Sequence, residues 1–351
     1  MATYSKGFDP ATGKLGSNEI FSALYNMIIS QEVFADNIKG SDLVDQARVD
    51  GGLYGDTKLY YSTDALASAE WGNDAEATNL LDIARPEAPK CQAIVLNVFR
   101  QISLTVDNYL SKRAWADEGS FSSFNSVMLG WIRDTKKVYD GTTYNCYVGT
   151  AEGQAEKSLV QVTVAEGENE AQVIANALAD VITEMTDYNR DFNDYKQLRR
   201  YSEDEIKIIF NAKKINKIKN IDLPVIFDNA GLKATFSKEV LPAKYFGTVN
   251  TGAKVADANT RSLVEQTIAG KHYFAGDKIA LGATAPEGTS YQEDNSIVCK
   301  IVTKLPPYMS AFEVGTSFFN PKSLTENHYL TFGHNTIEYL KAYPMVTVKL
   351  V

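Results

Sequence analysis

Residues 49–86 read VDGGLYGDTKLYYSTDALASAEWGNDAEATNLLDIARP, and their position between two helix-patterned regions governs how the rest of the chain is read. The stretch holds Gly51, Gly52, Gly55 and Gly72 beside Tyr54, Tyr60, Tyr61 and Trp71, with seven Asp or Glu up to Ala84 against one Lys. Connections inside a compact domain run to about 4–6 residues, so one this long is either disordered or laid against something else. Four large aromatic side chains argue against disorder, because disordered segments are poor in such groups. The surface that covers Tyr60, Tyr61 and Trp71 is therefore expected on another copy of the chain. That points to an assembly protein before it points to an enzyme.

Composition bounds the alternatives. A chain of 351 residues is long enough for two or more domains and a sizeable core. Its 44% hydrophobic, 11% aromatic and 23% charged residues are ordinary for a soluble globular protein. No apolar run approaches the roughly 20 residues of a membrane span, and MATYSKGFDP lacks the regions of a signal peptide. The expectation is a chain made in the cytosol with no membrane association. Cys91, Cys146 and Cys299 are odd in number and far apart, which suggests neither a disulfide framework nor a zinc knuckle, and they read as buried thiols. A formal charge of −9 opposes general adhesion to nucleic acid, whose phosphates require a positive field. It leaves room for enclosing nucleic acid without gripping it.

Working outward from the opening stretch, Ser17 can cap an arm helix carrying Ile20, Leu24, Met27 and Ile28 on one face. Cys91 to Leu110 suits a helix or an interrupted helix and strand. The clearest helix runs from Phe121 to Tyr139, capped by Ser120 and stopped by Asp140 and Gly141, a spine of about 28 Å at 1.5 Å per residue. Leu159 to Val164 alternates as a strand, and Glu170 to Tyr188 reads as a second helix with Asn169 as its cap. Ser202 and Glu205 fit a capping box, but the apolar run Ile206 to Phe210 favours a short buried strand, followed by a basic helix over Lys213 to Asn220. Leu223 to Phe227 is the next short strand. Thr248 to Asn295, rich in Gly, Ala, Thr and Asp, predicts loops or a small β-rich excursion, and Ile297 to Thr303, Thr336 to Leu340 and Met345 to Val351 read as strands. This mixed order does not support a doubly wound sheet, and no internal repeat stands out.

The sequence carries few groups arranged for chemistry. GFDPATGK at Gly7 to Lys14 has five residues between its glycines where a phosphate-binding loop needs four, and Leu15 stands where a hydroxyl belongs. His272, His328 and His334 lack the spacing of a metal-binding helix and read as surface or strand-edge residues. The carboxylates Glu203, Asp204 and Glu205, and Glu166, Glu168 and Glu170, read as solvated turns and helix starts. No catalytic, metal or cofactor-binding residue is nominated, and no cofactor is expected. The basic stretch Lys196, Arg199, Arg200, Lys207, Lys213, Lys214, Lys217 and Lys219 reads first as a solvated face, second as a contact for acidic arms of neighbouring subunits, and third, against the overall charge, as a contact for nucleic acid.

In order, these elements resemble the major capsid proteins of tailed bacteriophages, which share the Hong Kong 97 capsid fold. The closest local match is YSEDEIKIIFNAKKINKIKN, Tyr201 to Asn220, whose acidic turn, buried strand and following helix are similar to that family's central-domain unit. The resemblance implies an α+β fold with an N-terminal arm at 1–48, an extended loop at 49–86, and a peripheral domain with the spine helix at 87–145 and 297–351. A central or axial domain is implied at 146–296, with an insertion at 248–295. It further implies a shell subunit that assembles with itself into pentamers and hexamers and encloses double-stranded DNA without specific binding. Portal and scaffolding proteins are the implied partners, and the arm beginning near residue 1 implies separate scaffolding or a chain already in mature form; the destination is the virion capsid after synthesis in host cytoplasm. Phe21 and Phe34 in the arm, Tyr54, Tyr60, Tyr61 and Trp71 in the loop, and Lys213 and Lys214 are the candidates for subunit contact. Two variants remain open: an encapsulin-like compartment shell with protein cargo, and a hydrolase using carboxylates around Glu203 to Glu205. A binding module built on Thr248 to Val351 is a third.

Overall fold

A computed structural model describes residues 38–49, 57–68, 85–107, 118–219, 237–310 and 312–351. A short helix, Asp42–Ala47, leads into strands β1 (Arg48–Val49), β2 (Thr57–Ser62) and β3 (Lys90–Asp107), then the long helix Glu118–Thr150. β4 (Leu159–Val162), the helix Glu170–Met185, β5 (Lys207–Asn211), the helix Ala212–Lys219 and β6 (Ser237–Leu241) follow. The next stretch carries β7 (Gly247–Val249), β8 (Thr260–Ser262), β9 (Gln266–Ile268), β10 (Lys271–Tyr273) and β11 (Ser290–Glu293). The last strands are β12 (Ile297–Val302), β13 (Tyr308–Met309), β14 (Phe312–Asn320), β15 (Thr325–Asn335) and β16 (Met345–Leu350). The described residues divide into two compact units, one drawn from within 42–97, 142–309 and 335–351, the other from within 38–41, 98–141 and 310–334.

The larger unit is organised by a five-stranded sheet in the order β4-β16-β12-β5-β6. β12 runs antiparallel to both its neighbours, while β4 joins β16 and β6 joins β5 in parallel. β12 reads IVCKIV and all six residues are buried, the continuous run expected of a central strand covered on both faces. On one face Ile208, Phe210, Ile301, Val346 and Val348 pack with Ile174, Leu178, Ile182 and Met185 of the helix Glu170–Met185. That helix starts where Asn169 accepts a hydrogen bond from the Ala171 amide at 3.1 Å. On the other face Ile209, Val302 and Met345 meet Tyr144 and Val148 from the end of the long helix, with Leu43 and Val44. Full burial of such a side chain stabilises by about 1.5–3 kcal/mol, so this two-sided core dominates the unit's stability. In the same unit β2 pairs antiparallel with Lys90–Val95 of β3. β7, β11 and β8 form a three-stranded sheet whose Tyr291 packs with Cys146, Tyr245, Leu263 and Ala275, and the β9–β10 hairpin contributes Ile268 and Tyr273 to a small core with Val255, Ile279 and Ala285. The β-rich excursion expected at Thr248 to Asn295 is present.

The smaller unit is a helix on strands. β14 and β15 form an antiparallel hairpin through nine residue pairs. β15 is flanked by the second half of β3, whose Gln101 and Thr105 donate to Thr331 and Asn327 at 3.0 and 2.6 Å. Ile132 and Tyr139 of the long helix pack on Leu330 and Phe332, with Ile102 and Leu104. Lys136 and Asp140, both nearly buried, pair at 2.9 Å one turn apart, and Glu313 lies 3.6 Å from the same ammonium.

Several expectations change. Cys91 to Leu110 holds no helix among its described residues: Lys90–Asp107 is one strand, in which Gln92, Ile94 and Leu96 point inward and their neighbours outward. The long helix does not stop at Asp140 and Gly141 but continues to Thr150, because the Asp140 charge is met by Lys136 inside the helix. Thr336 to Leu340 is not a strand, although Ile337 and Leu340 are buried. The strands within 297–351 take part in three sheets: β12 and β16 belong with β4, β5 and β6, β13 with β1, and β14 and β15 with β3. The helix at Glu170 ends at Met185, and Leu223 to Phe227 and the arm helix after Ser17 lie outside the described residues.

Candidate subunit interface

Strand β2 decides what the opening stretch presents. Its register sets Leu59 opposite Ala93 and Tyr61 opposite Cys91, and the pleat turns alternate residues to opposite faces. Tyr60 is the half-buried member and lines a half-open cleft of about 160 Å³ with Gln46, Val49, Lys207, Lys304 and Leu305. Burial raises its phenol above the ordinary tyrosine range. Leu59 and Tyr61, at 49% and 67% exposure, face outward with Val95 of β3. Exposed apolar side chains grouped on one sheet face are the usual mark of an interaction surface. A second group, Val314, Phe318 and Phe319, lies on β14, an edge strand paired with β15. Nothing in the residue pattern singled out that strand. Phe21, Phe34, Tyr54 and Trp71 lie outside the described residues.

Immediately after β2 the chain is fastened to itself. Asp64 accepts from Arg190 Nη1 at 2.5 Å through Oδ2, and from the amides of Leu198 and Ala65, each at 2.8 Å, through Oδ1. Arg199 Nη2 donates to the Thr63 carbonyl at 2.6 Å. The Arg190 hydrogen bond, then that from Leu198, holds the Asp64 carboxyl at about 2, well below its ordinary 3.8. This contact links positions 126 apart, and Arg190 lies outside the basic stretch read from the sequence.

The basic stretch is not one field. Arg199 gathers at Thr63–Asp64 with Arg190, which lies outside the stretch, while Arg200 donates to the Thr186 carbonyl. Lys207 reaches Gln46, Lys213 reaches Asn295, and Lys214 pairs with Glu170 at 3.3 Å. Lys213 is exposed and Lys214 half-buried, so both ammonium groups stand at the surface with partners in their own chain.

The carboxylate clusters serve turns and caps. Glu203–Glu205 forms one 3-10 turn in which Glu205 accepts from the Ser202 amide, so the capping box and the strand that follows it coexist. Glu168 accepts from the Ala165 amide, and Glu170 pairs with Lys214. His272 and His328 are near Glu265 and Glu326, whereas His334, expected at a surface or strand edge, is buried with its Nε2 bonded to the Tyr139 hydroxyl at 2.8 Å. Cys146 and Cys299 are buried as expected, and burial pushes the Cys146 thiol up to about 12. Cys91 differs: the pleat of β3 turns it outward. Among the described residues no helix is long and apolar enough to cross a membrane.

No protein-family model matches the chain, and neither does any curated protein. Solved structures do. The capsid structure of Staphylococcus phage Andhra is 10% identical and matches with a TM-score of 0.63, over 91% of this chain and 86% of that one. A structure of the head fiber and inner core protein gp22 of native bacteriophage P68 matches at 10% identity and a TM-score of 0.55, over 91% and 87%. At such identity the likeness is one of fold, and the chain resembles phage capsid structures in the course of nearly its whole length.

Proposed function

We propose that this chain is the major capsid protein of a tailed double-stranded DNA phage, a non-enzymatic subunit that assembles with itself into pentamers and hexamers of an icosahedral shell. The observation that carries the reading is the match to the Andhra capsid over nine-tenths of the chain. Exposed apolar groups on β2, β3 and β14 supply surface of the kind that association covers. Heterologous contacts of this sort close into rings, and rings tile a shell.

In this reading the unit built on β3, β14, β15 and the first part of the long helix is the peripheral part, and the five-stranded unit with its β-rich excursion is the axial part. The arm and loop residues Phe21, Phe34, Tyr54, Tyr60, Tyr61 and Trp71, with Lys213 and Lys214, belong to contacts between copies. Portal and scaffolding proteins are the further partners, and the chain passes from host cytoplasm to virion. The charge of −9 suits an enclosed polymer that must leave again, since a wall of like charge does not trap DNA. Expression with and without the neighbouring phage genes, followed by sedimentation and nuclease treatment of the particles, tests this. Nuclease-protected DNA in particles made with the packaging genes is expected. Particles that hold only protein would move the reading to a compartment shell.

A further inference from the structure

The loop at 187–200 is built as a receptor by contacts that do not involve residues 57–68. Phe192 is buried with the helix Glu170–Met185, and Asn193, 1% exposed, bonds both the amide and the carbonyl of Gln197, at 2.9 and 2.7 Å. Asn189 and Arg199 exchange both backbone hydrogen bonds at 2.9 and 3.0 Å. Lys196 takes a φ of 52°, and its carbonyl accepts from Arg190 Nη1 at 2.8 Å. The loop therefore holds Arg190, the Leu198 amide and Arg199 in place, and all three donate to one two-residue segment, Thr63–Asp64. A fixed set of donors of this kind is specific for a carboxylate that follows an extended backbone carbonyl.

With the contact closed, Leu59, Tyr61 and Leu66 stay 49%, 67% and 76% exposed, so the contact orders the segment without covering its apolar side chains. We propose that Thr63–Asp64 and the socket of Arg190, Leu198 and Arg199 form a latch within one chain. It sets the course of the extended segment before assembly, so that its apolar side chains are already ordered when a second copy arrives. Ordering a segment in advance removes part of the entropic cost of association. The inference rests on the shell reading above and adds the step that prepares the subunit for it.

The test uses the full chain with Asp64→Arg, Arg190→Asp, both together, and an equal mixture of the two single variants. Amide exchange at Leu198 reads the latch in the dissociated chain, and light scattering reads the rate of assembly. Each single variant is expected to exchange faster at Leu198 and to assemble about three- to tenfold more slowly, the scale of one multiply bonded, part-exposed ion pair. The double variant is expected to recover both, and the mixture to stay slow. Assembly at the parental rate or faster, with the latch shown open by exchange, overturns the proposal. So does recovery in the mixture, which would place the contact between copies. Where a reversal variant does not fold, Asp64→Asn, which keeps the side chain's shape, repeats the comparison. A parental chain that never assembles overturns the shell reading and the latch's role with it, whereas parental and variant shells forming alike overturn the latch alone.

Discussion

Lys300 is fully buried on β12, and its ammonium donates to the Ala151 carbonyl at 2.7 Å and to the Thr347 hydroxyl at 2.8 Å. Burial lowers it to about 8 from an ordinary 10.5, with Glu152 pulling the other way. Between those values the unfolded chain binds more protons than the folded one, so stability rises with pH. The charged lysine thus weakens the fold below about pH 8, and the cost is relieved on the way to pH 10.5. Lys300→Met is expected to remove this slope, which amounts to roughly 3 kcal/mol at about 1.4 kcal/mol per pH unit. Denaturant unfolding of both chains between about pH 7 and 10 checks it. Asp64 has the opposite sign: its carboxyl is lowered, so the latch is fully present above pH 3.8 and is lost as pH falls through about 2. Protection of the Leu198 amide is expected to persist at about pH 3 and to vanish below about pH 2, and its loss at about pH 4 would contradict the assignment. Neither residue announced its role. Lys300 sits inside an apolar run, and the partners of Asp64 lie more than a hundred positions away.

The long helix offers a paired test among the elements. Gly130 has open space where a Cβ would go, so Gly130→Ala is expected to stabilise by about 0.5–1 kcal/mol through the ordinary helix preference. Gly149 lies in the same helix, but a Cβ there would run into the Tyr245 carbonyl, a backbone atom that cannot swing away. Gly149→Ala is expected to destabilise by about 1–3 kcal/mol despite the better helix former, as read by denaturant titration. Equal effects at the two positions would contradict the packing described. Element by element, legibility followed how cleanly one face was apolar. The helix Glu170–Met185 was readable because its cap and its buried stripe agree. β3 was not, because Val95 and Phe99 are apolar on its exposed face and hide the alternation. The continuation past Asp140 depends on Lys136 one turn earlier, in surroundings that only the packed unit supplies. β14 was missed because eight of its residues, Glu313 through Asn320, are exposed or half-buried and carry no burial pattern to read.

For the molecule as a whole, the order of arm, loop, spine and mixed sheet was enough to suggest the fold, since order survives where sequence identity has fallen to 10%. The contacts proposed between copies rest, in the sequence, on the surplus of aromatic residues at 49–86, because an interface is a property of two surfaces and a single chain presents one. Lys213→Glu with Lys214→Glu addresses the basic side of that proposed interface. Breaking the pair with Glu170 is expected to cost the single chain less than about 1 kcal/mol, while assembly falls and loses part of its salt dependence. Unchanged assembly in that variant would remove both lysines from the interface. Self-assembly of this chain is read by negative-stain electron microscopy of the purified protein over a range of protein and salt concentration, alone and co-expressed with scaffold. Rings, tubes or closed shells built from one subunit are expected. A monodisperse monomer at high concentration under every one of these conditions would contradict self-assembly.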